Sequence, residues 1–241
     1  MVTLVRFIVV TVMLPLFLTS HTESRWHELY EKISASDDTS PANPGEVEDI
    51  DGNSYETVKI GNQVWMAENL RVTRYRNGDP IPRVEDDEKW MELKEGGYSF
   101  YMNFWYFGRV YGAIYNWHAV EDERGICPEG WRVPDDKDWR ILSNYLGGNK
   151  EAGGKLKASS LRWMRPNEGG KDKTGFSALP GGYRHSNGTF YNIRRFGDFW
   201  SSVGFPDGYA YFRSFCNEYP YMHEGVYSKN SGAYIRCIKK D

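Results

Sequence analysis

The order of local patterns along residues 49–241 is the strongest constraint on the fold. The segment TVKIGNQVWMAENL (57–70) places two apolar-alternating runs around Gly61-Asn62, a two-residue hairpin turn with glycine first. One clear helix follows, and then a series of strands and turns. Strands and helices do not alternate, so the sequence predicts an α+β domain of antiparallel strands and hairpins with one or two helices, rather than a βαβ sheet.

The clearest helix signal follows Asp135. This residue type caps helices, and Asp138 stands three positions later, as in a capping box. Apolar residues then share one helical face, and Gly147-Gly148 ends the pattern. The residues of that face are Trp139, Leu142, Tyr145 and Leu146. A second helix before Trp163 is indicated by weaker signals.

Strand-like segments make up much of the remaining domain. An early one is YGAIYNWHAV (111–120), and later ones are separated by turn residues such as those at 186–189. The pattern also predicts a final hairpin over residues 230–232. The later segments are FSALPGGYR (176–184), TFYNI (189–193), DFWSSV (198–203), AYFRSF (210–215) and AYIRCIKK (233–240).

Residues 1–24 are predicted to be a signal peptide. Arg6 precedes an apolar run of about 12 residues, which is the length of a signal-peptide core and short of the roughly 20 needed to cross a bilayer. An uncleaved membrane anchor is the alternative. Residues 25–48 are polar and are predicted to be a linker, so the domain spans 49–241. We therefore expect a secreted or cell-surface protein with no membrane span once the leader is removed.

Charge and composition narrow the classes of partner. The net charge is −3, and the 30 basic residues form no stripe, so no nucleic-acid partner is predicted. The chain is rich in aromatic residues, with 9 Trp, 17 Tyr and 12 Phe. Aromatic residues of this number fit either a large core or a surface that stacks on sugar rings.

The three cysteines allow three pairings. We favour Cys127 with Cys237, because this bridge would tie the loop before the helix to the last strand. Closing so long a loop stabilises a fold by about 4–5 kcal/mol in the chain-entropy model. Cys216 would then be a free, buried thiol in a strand. A reactive Cys216 is the alternative, although the sequence places no acid–base partner near it.

Several of these segments together resemble a known family. The domain is similar to the Fibrobacter succinogenes major paralogous domain, a family of exported bacterial proteins. This resemblance implies a C-type-lectin-like fold and says little about activity, and both Cys127 and Cys237 lie inside matching segments. Those segments, in the order of the family, are 49–70, 111–120, 126–142, 175–184, 199–202 and 231–240.

One segment departs from the family pattern. In YSFYMNFWYFGRVY (98–111), aromatic residues occupy both odd and even positions, so a half-buried strand would not hide them all. The segment is either a second buried cluster or an aromatic platform for a glycan or a protein partner. The acidic residues 85–88 just before it are interpreted as a solvated loop rather than a calcium site.

The sequence contains no recognisable catalytic constellation. It lacks the two-histidine spacing of a zinc helix and the Gly-x-Ser-x-Gly elbow of a serine hydrolase. His118 is interpreted as a structural imidazole, and the DIDGN segment (49–53) as a tight turn. We therefore predict no catalytic residues, no metal and no cofactor.

The favoured function is a non-catalytic binding module for a glycan or a cell-surface protein. The calcium-binding motifs of sugar-binding lectins are missing, and Arg165-Pro166-Asn167 places a cation where such a motif has a carboxylate. Any sugar recognition is therefore expected to use aromatic stacking and polar contacts. The candidate ligand-binding residues are Trp105, Tyr106, Trp117, Arg184, His185 and Trp200.

Two other functions stay open. RVPDDKDW (132–139) and YIRC (234–237) resemble structural segments of formylglycine-generating sulfatase-modifying proteins. The copper-holding cysteine pair of those enzymes is missing from the sequence, because no other cysteine lies within twenty residues of Cys216. The remaining alternative is a structural or assembly subunit at the cell surface.

Overall fold

The computed structural model describes residues 45–240. The predicted signal peptide and all but the last residues of the predicted linker lie outside this range. The described residues form thirteen short strands, five helices and one 3-10 turn (Tyr101–Asn103). The helices are α1 (Asp87–Glu92), α2 (Trp105–Tyr111), α3 (Trp117–Glu121), α4 (Asp136–Tyr145) and α5 (Asn149–Leu156). The strands are β1 (Glu46–Glu48), β2 (Ser54–Ile60), β3 (Gln63–Met66), β4 (Tyr98–Ser99), β5 (Ile114–Asn116), β6 (Trp131–Arg132), β7 (Tyr183–Arg184), β8 (Phe190–Tyr191), β9 (Phe196–Phe205), β10 (Tyr209–Cys216), β11 (Met222–Ser228), β12 (Gly232–Ala233) and β13 (Ile238–Lys239).

The strands form three sheets. Their orders are β1-β2-β3-β13-β6, β11-β10-β9 and β4-β5-β12-β7-β8. The pairings within them are antiparallel. The predicted α+β class is therefore confirmed, with more helices than the one or two expected.

The first hairpin forms as the sequence predicts. Ile60 pairs with Gln63 across the turn, and Gly61 has φ +61°, a value that glycine adopts without steric cost. The last strand, β13, then lies between β3 and β6. The beginning and end of the described chain thus share one sheet.

A disulfide holds this sheet to the loop before α4. Cys127 and Cys237 are bonded to each other, as predicted, and both are buried. Cys216 is free at the end of β10. It is half-buried rather than fully buried.

The predicted capping of α4 is confirmed. The Asp135 carboxylate accepts from the Asp138 amide, and the Asp138 carboxylate accepts from the Asp135 amide. Arg132 Nη2 also donates to Asp138 at 2.9 Å and so fixes α4 to β6. Tyr145 differs from its predicted place on the buried face: it is 66% exposed and lies over the Gly61 turn.

Three sequence predictions are wrong in detail. Only residues 114–116 of the segment 111–120 are a strand, because the Asn116 side chain caps α3. The expected final hairpin does not form, because β12 pairs with β5 and β7 rather than with β11. Residues 46–48, assigned to the linker, pair with β2 as an edge strand whose mostly exposed side chains carry no apolar pattern.

More than half of the aromatic residues in the range 45–240 are buried and build the core. The indole of Trp65 lies 4.9 Å from that of Trp139, and Phe176 contacts both rings and Phe199. Arg236 lies in the same core with its guanidinium carbon 4.4 Å from the Phe176 ring centre.

Candidate functional site

The aromatic segment 98–111 divides into a buried and an exposed part. Met102 and Asn103 have left-handed φ values of +51° and +57°, which change the direction of the chain just before α2. The side chains of Tyr98, Tyr101 and Tyr111 are buried. Those of Phe104, Trp105 and Tyr106 are 50%, 55% and 47% exposed. We call these three residues the aromatic cluster.

The packing of α2 explains this division. Phe107 and Tyr111 lie four residues apart on one helical face, with ring centres 6.0 Å apart. Gly108 lets the Phe100 ring approach the helix, since a Cβ at this position would lie 2.4 Å from it. Residues 104–106 precede this packed face and lie in or before the first turn, so their rings remain at the surface.

The three rings of the aromatic cluster contact one another. Phe104 lies 6.0 Å from Trp105 and 6.2 Å from Tyr106, and Trp105 lies 6.3 Å from Tyr106. The contacts are edge-on or tilted, an arrangement that aromatic pairs favour. Contiguous exposed aromatic side chains of this kind are typical of a ligand or partner surface.

A cavity of about 460 Å³ lies at the other end of α2. Arg109 lines it, and its guanidinium carbon is 6.0 Å from the centre of the Trp105 ring. This residue therefore connects the cavity to the aromatic cluster. The polar side chains that line the rest of what we call the α2 cavity include Glu56, Glu68, Asn69, Arg71 and Ser177.

Buried hydrogen bonds fix one wall of the α2 cavity. Arg236 donates to Asn69 Oδ1 from Nε at 3.0 Å and from Nη2 at 2.7 Å. Asn69 Nδ2 in turn donates to the Tyr111 carbonyl at 2.8 Å. Burial lowers the pKa of Arg236 to about 9. These side chains bind the protein itself, so this wall is already in place before any ligand arrives.

Three of the predicted ligand-binding residues lie in the core instead. Trp117 donates from its indole to the Ser201 carbonyl, and Trp200 to the Tyr115 carbonyl, both at 2.8 Å. Arg184 is fully buried against carbonyl groups and Asp87. Their side chains offer almost no surface to a ligand, because all three are buried.

His185 lies on a different surface. It is exposed in the β7–β8 turn, and its ring centre is 6.1 Å from that of Tyr191. The Tyr191 ring centre lies 5.8 Å from that of Tyr183, which in turn lies 5.2 Å from that of Tyr227. Of the six candidates, Trp105 and Tyr106 are thus the two that contact each other at the surface.

Comparison with known proteins agrees with the resemblance found in the sequence. The model of the Fibrobacter succinogenes major domain matches residues 58–239. The chain belongs to this family. No curated protein and no solved structure matches this chain.

Part of the candidate site was not predicted from the sequence. Arg109 is four residues after Trp105, a spacing that would have joined them if 105–111 had been assigned to a helix. Asn69 and Glu68 come from the loop after β3, forty residues away in sequence. No sequence signal connects that loop to α2.

Other motifs of the domain have structural roles. Asp86 caps α1 through the Lys89 amide, so the acidic segment 85–88 begins a helix instead of forming only a loop. His118 lies on α3 and contacts Glu121 and Asn230, which confirms its structural role. Asp49 accepts from the amides of Asp51 and Asn53 in a tight turn.

Neither a metal site nor a membrane span is found in the described part of the domain. Residues 45–240 contain no group of three His, Cys, Asp or Glu side chains arranged to hold a metal ion. No helix within that range is long and apolar enough to cross a bilayer.

Proposed function

We propose that this domain has a C-type-lectin-like fold and acts as an exported, non-catalytic binding module that recognises a glycan through the aromatic cluster, without calcium. The observation that carries this proposal is the half-exposure of Phe104, Trp105 and Tyr106 beside the polar α2 cavity. The mixed, largely antiparallel arrangement is compatible with the proposed fold.

Aromatic rings and polar groups together suit a sugar. A pyranose ring has an apolar face of C–H bonds, which packs on an aromatic ring, and a rim of hydroxyl groups, which need hydrogen-bond partners. Trp105 supplies an aromatic ring for the apolar face, while Glu56 and Ser177 in the α2 cavity supply hydrogen-bond partners for the hydroxyl groups. Protein ligand sites commonly combine a mostly apolar surface with a few placed polar groups.

Export is supported by the disulfide. A bond between Cys127 and Cys237 forms and persists in an oxidising compartment. The same pairing argues against the copper chemistry of formylglycine-generating sulfatase-modifying proteins. These two cysteines are bonded to each other and buried, and Cys216 is free, so the described residues offer no second thiol for a metal-holding pair.

A glycan array tests this function. The full chain would be applied in calcium and again with a chelator, beside the variant Trp105→Ala. We expect binding that survives the chelator and is lost in the variant. Binding that disappears with the chelator would show that calcium is needed, and a chain that binds no glycan would favour a protein partner.

A further inference from the structure

The charges around the aromatic cluster indicate the class of glycan. We propose that the ligand is an acidic polysaccharide of uronic acids, whose carboxylates pair with arginines beside the aromatic cluster. This inference rests on the proposed function, since it concerns the same site.

Three arginines near the aromatic cluster have no carboxylate partner. Most arginines of residues 45–240 form an ion pair, as Arg83 does with Glu85 at 2.7 Å. Arg109, Arg162 and Arg194 are exposed and form none within that range. They are therefore available to an anionic ligand.

Arg109 is held next to the stacking surface. It lies one helical turn after Trp105, with its guanidinium 6.0 Å from the indole centre. A uronate carries its carboxylate directly on the pyranose ring. A sugar stacked on the Trp105 indole would therefore bring its carboxylate within reach of this side chain, and guanidinium groups bind carboxylates through two parallel hydrogen bonds.

Arg162 and Arg194 form a second group of cations, separate from Arg109. Arg194 Nε donates to the Arg162 carbonyl at 3.3 Å, so the two residues lie side by side. Both guanidinium groups lie near the Tyr111 hydroxyl. Burial raises the pKa of Tyr111, and these two cations oppose that rise. Tyr111 contacts Phe107, which contacts Phe104 and Tyr106, so a series of ring contacts connects Tyr111 with the aromatic cluster.

The spacing of the cations suits a polymer better than a single sugar. Arg109 and the Arg162–Arg194 pair lie on different elements, α2 and two loops. Successive uronates along one chain would meet successive guanidinium groups. Each exposed pair contributes little alone, so affinity should depend on chain length and on salt.

Single-stranded nucleic acid also combines planar rings with negative charge. The α2 cavity, however, carries the carboxylates of Glu56 and Glu68 beside Arg109. These carboxylates can accept hydrogen bonds from sugar hydroxyls, which a polyuronate carries on every ring and a deoxyribose-phosphate backbone does not. We therefore favour the glycan and include an oligonucleotide in the test.

The test compares an acidic oligosaccharide with its neutral form. Oligogalacturonate and oligomannuronate of defined length, and their methyl esters, would be titrated into the full chain by calorimetry at low and high salt. Esterification keeps the sugar ring and removes the charge. We expect the acids to bind about 10-fold more tightly than the esters at low salt, and the difference to shrink at high salt.

Variants locate the effect. Arg109→Gln combined with Arg194→Gln should lower the affinity for the acids about 10-fold and that for the esters much less. Arg140→Gln is the matched control, because Arg140 is also exposed and unpaired but lies on α4. It should leave both affinities unchanged.

The outcomes separate this inference from the proposed function. Equal binding of acids and esters, or binding only of neutral glycans on the array, would overturn the acidic ligand and keep the glycan module. Tighter binding of a single-stranded oligonucleotide than of any oligosaccharide would overturn both. A chain that binds none of these ligands would overturn both as well.

Discussion

The guanidinium carbon of Arg184 lies 4.3 Å from the centre of the Trp90 ring, in the interior of the domain. Its nitrogen atoms donate to the carbonyls of Gly188 and Val84, both at 2.6 Å, and to the Asp87 carboxylate at 2.9 Å. One side chain thus fastens the β7–β8 turn to the start of α1. The sequence predicted that Arg184 binds a ligand, whereas in the fold its side chain has a structural role.

Replacing Arg184 should therefore weaken the fold. Arg184→Ala leaves the Gly188 and Val84 carbonyls buried without donors and removes the Asp87 partner. We expect the free energy of unfolding to fall by about 3–5 kcal/mol, the usual cost of breaking a buried charged contact. Urea denaturation measures this change. An unchanged midpoint would show that the side chain is not held as described.

The two tryptophans predicted to bind ligand should behave differently from each other. Trp200→Ala empties a fully buried site and should cost about 3–5 kcal/mol. Trp105→Ala removes a ring that is 55% exposed and should lower the melting temperature by less than about 3 °C. Calorimetric melting of both variants compares them directly. A large loss of stability in Trp105→Ala would place that ring in the core.

The disulfide should account for much of the stability. The bond between Cys127 and Cys237 closes a loop across 110 positions of sequence. Replacing both cysteines with alanine should lower the free energy of unfolding by about 4–5 kcal/mol in the chain-entropy model. Cys216→Ala is the control and should change it much less, since Cys216 forms no bridge. Non-reducing peptide mapping should recover Cys127 and Cys237 in one linked fragment, and recovery of both as free thiols would refute the bridge.

Asp198 should make stability depend on pH. Its carboxyl group is fully buried on β9 and accepts from the Tyr227 hydroxyl at 2.9 Å. Burial raises its pKa to about 7, although the Ser214 and Tyr227 hydroxyls oppose the rise. In the unfolded chain the pKa of an aspartate is about 3.9. Between these two values the folded state therefore binds more protons than the unfolded state.

The free energy of unfolding should consequently fall as pH rises from about 4 to 7. The slope is about 1.4 kcal/mol per pH unit, so the loss is of the order of 4 kcal/mol over this window. The variant Asp198→Asn has no titratable group at this position, so its free energy of unfolding should lack this dependence on pH. Denaturation curves of both proteins from pH 4 to 8 test it, and parallel curves would argue against a raised pKa at Asp198.

Local chemistry in the sequence predicts some parts of the fold well. The Gly61 turn, the Asp135 cap and the Cys127–Cys237 bond each depend on a few residue types at fixed positions. These features are predictable because each has one dominant physical cause. The pairing of β13 with β3 and β6, in contrast, was not predicted from the sequence.

The exposure of aromatic residues is much harder to predict. Trp105 and Trp200 have the same chemistry, and both stand in aromatic segments. Trp200 is buried because β9 pairs with β10 and its indole reaches the Tyr115 carbonyl across the domain. Trp105 is exposed because Met102 and Asn103 change the direction of the chain before α2. Both outcomes depend on tertiary contacts that residue patterns do not contain.

The most direct test of the proposed function is the affinity of Trp105→Ala for a glycan that the full chain binds, measured by calorimetry beside Tyr209→Ala. Tyr209 is 44% exposed on β10 and is the control for loss of an exposed ring. We expect Trp105→Ala to bind at least about 10-fold more weakly and Tyr209→Ala to bind like the unchanged chain. Equal affinities in all three proteins would contradict a glycan site at the aromatic cluster.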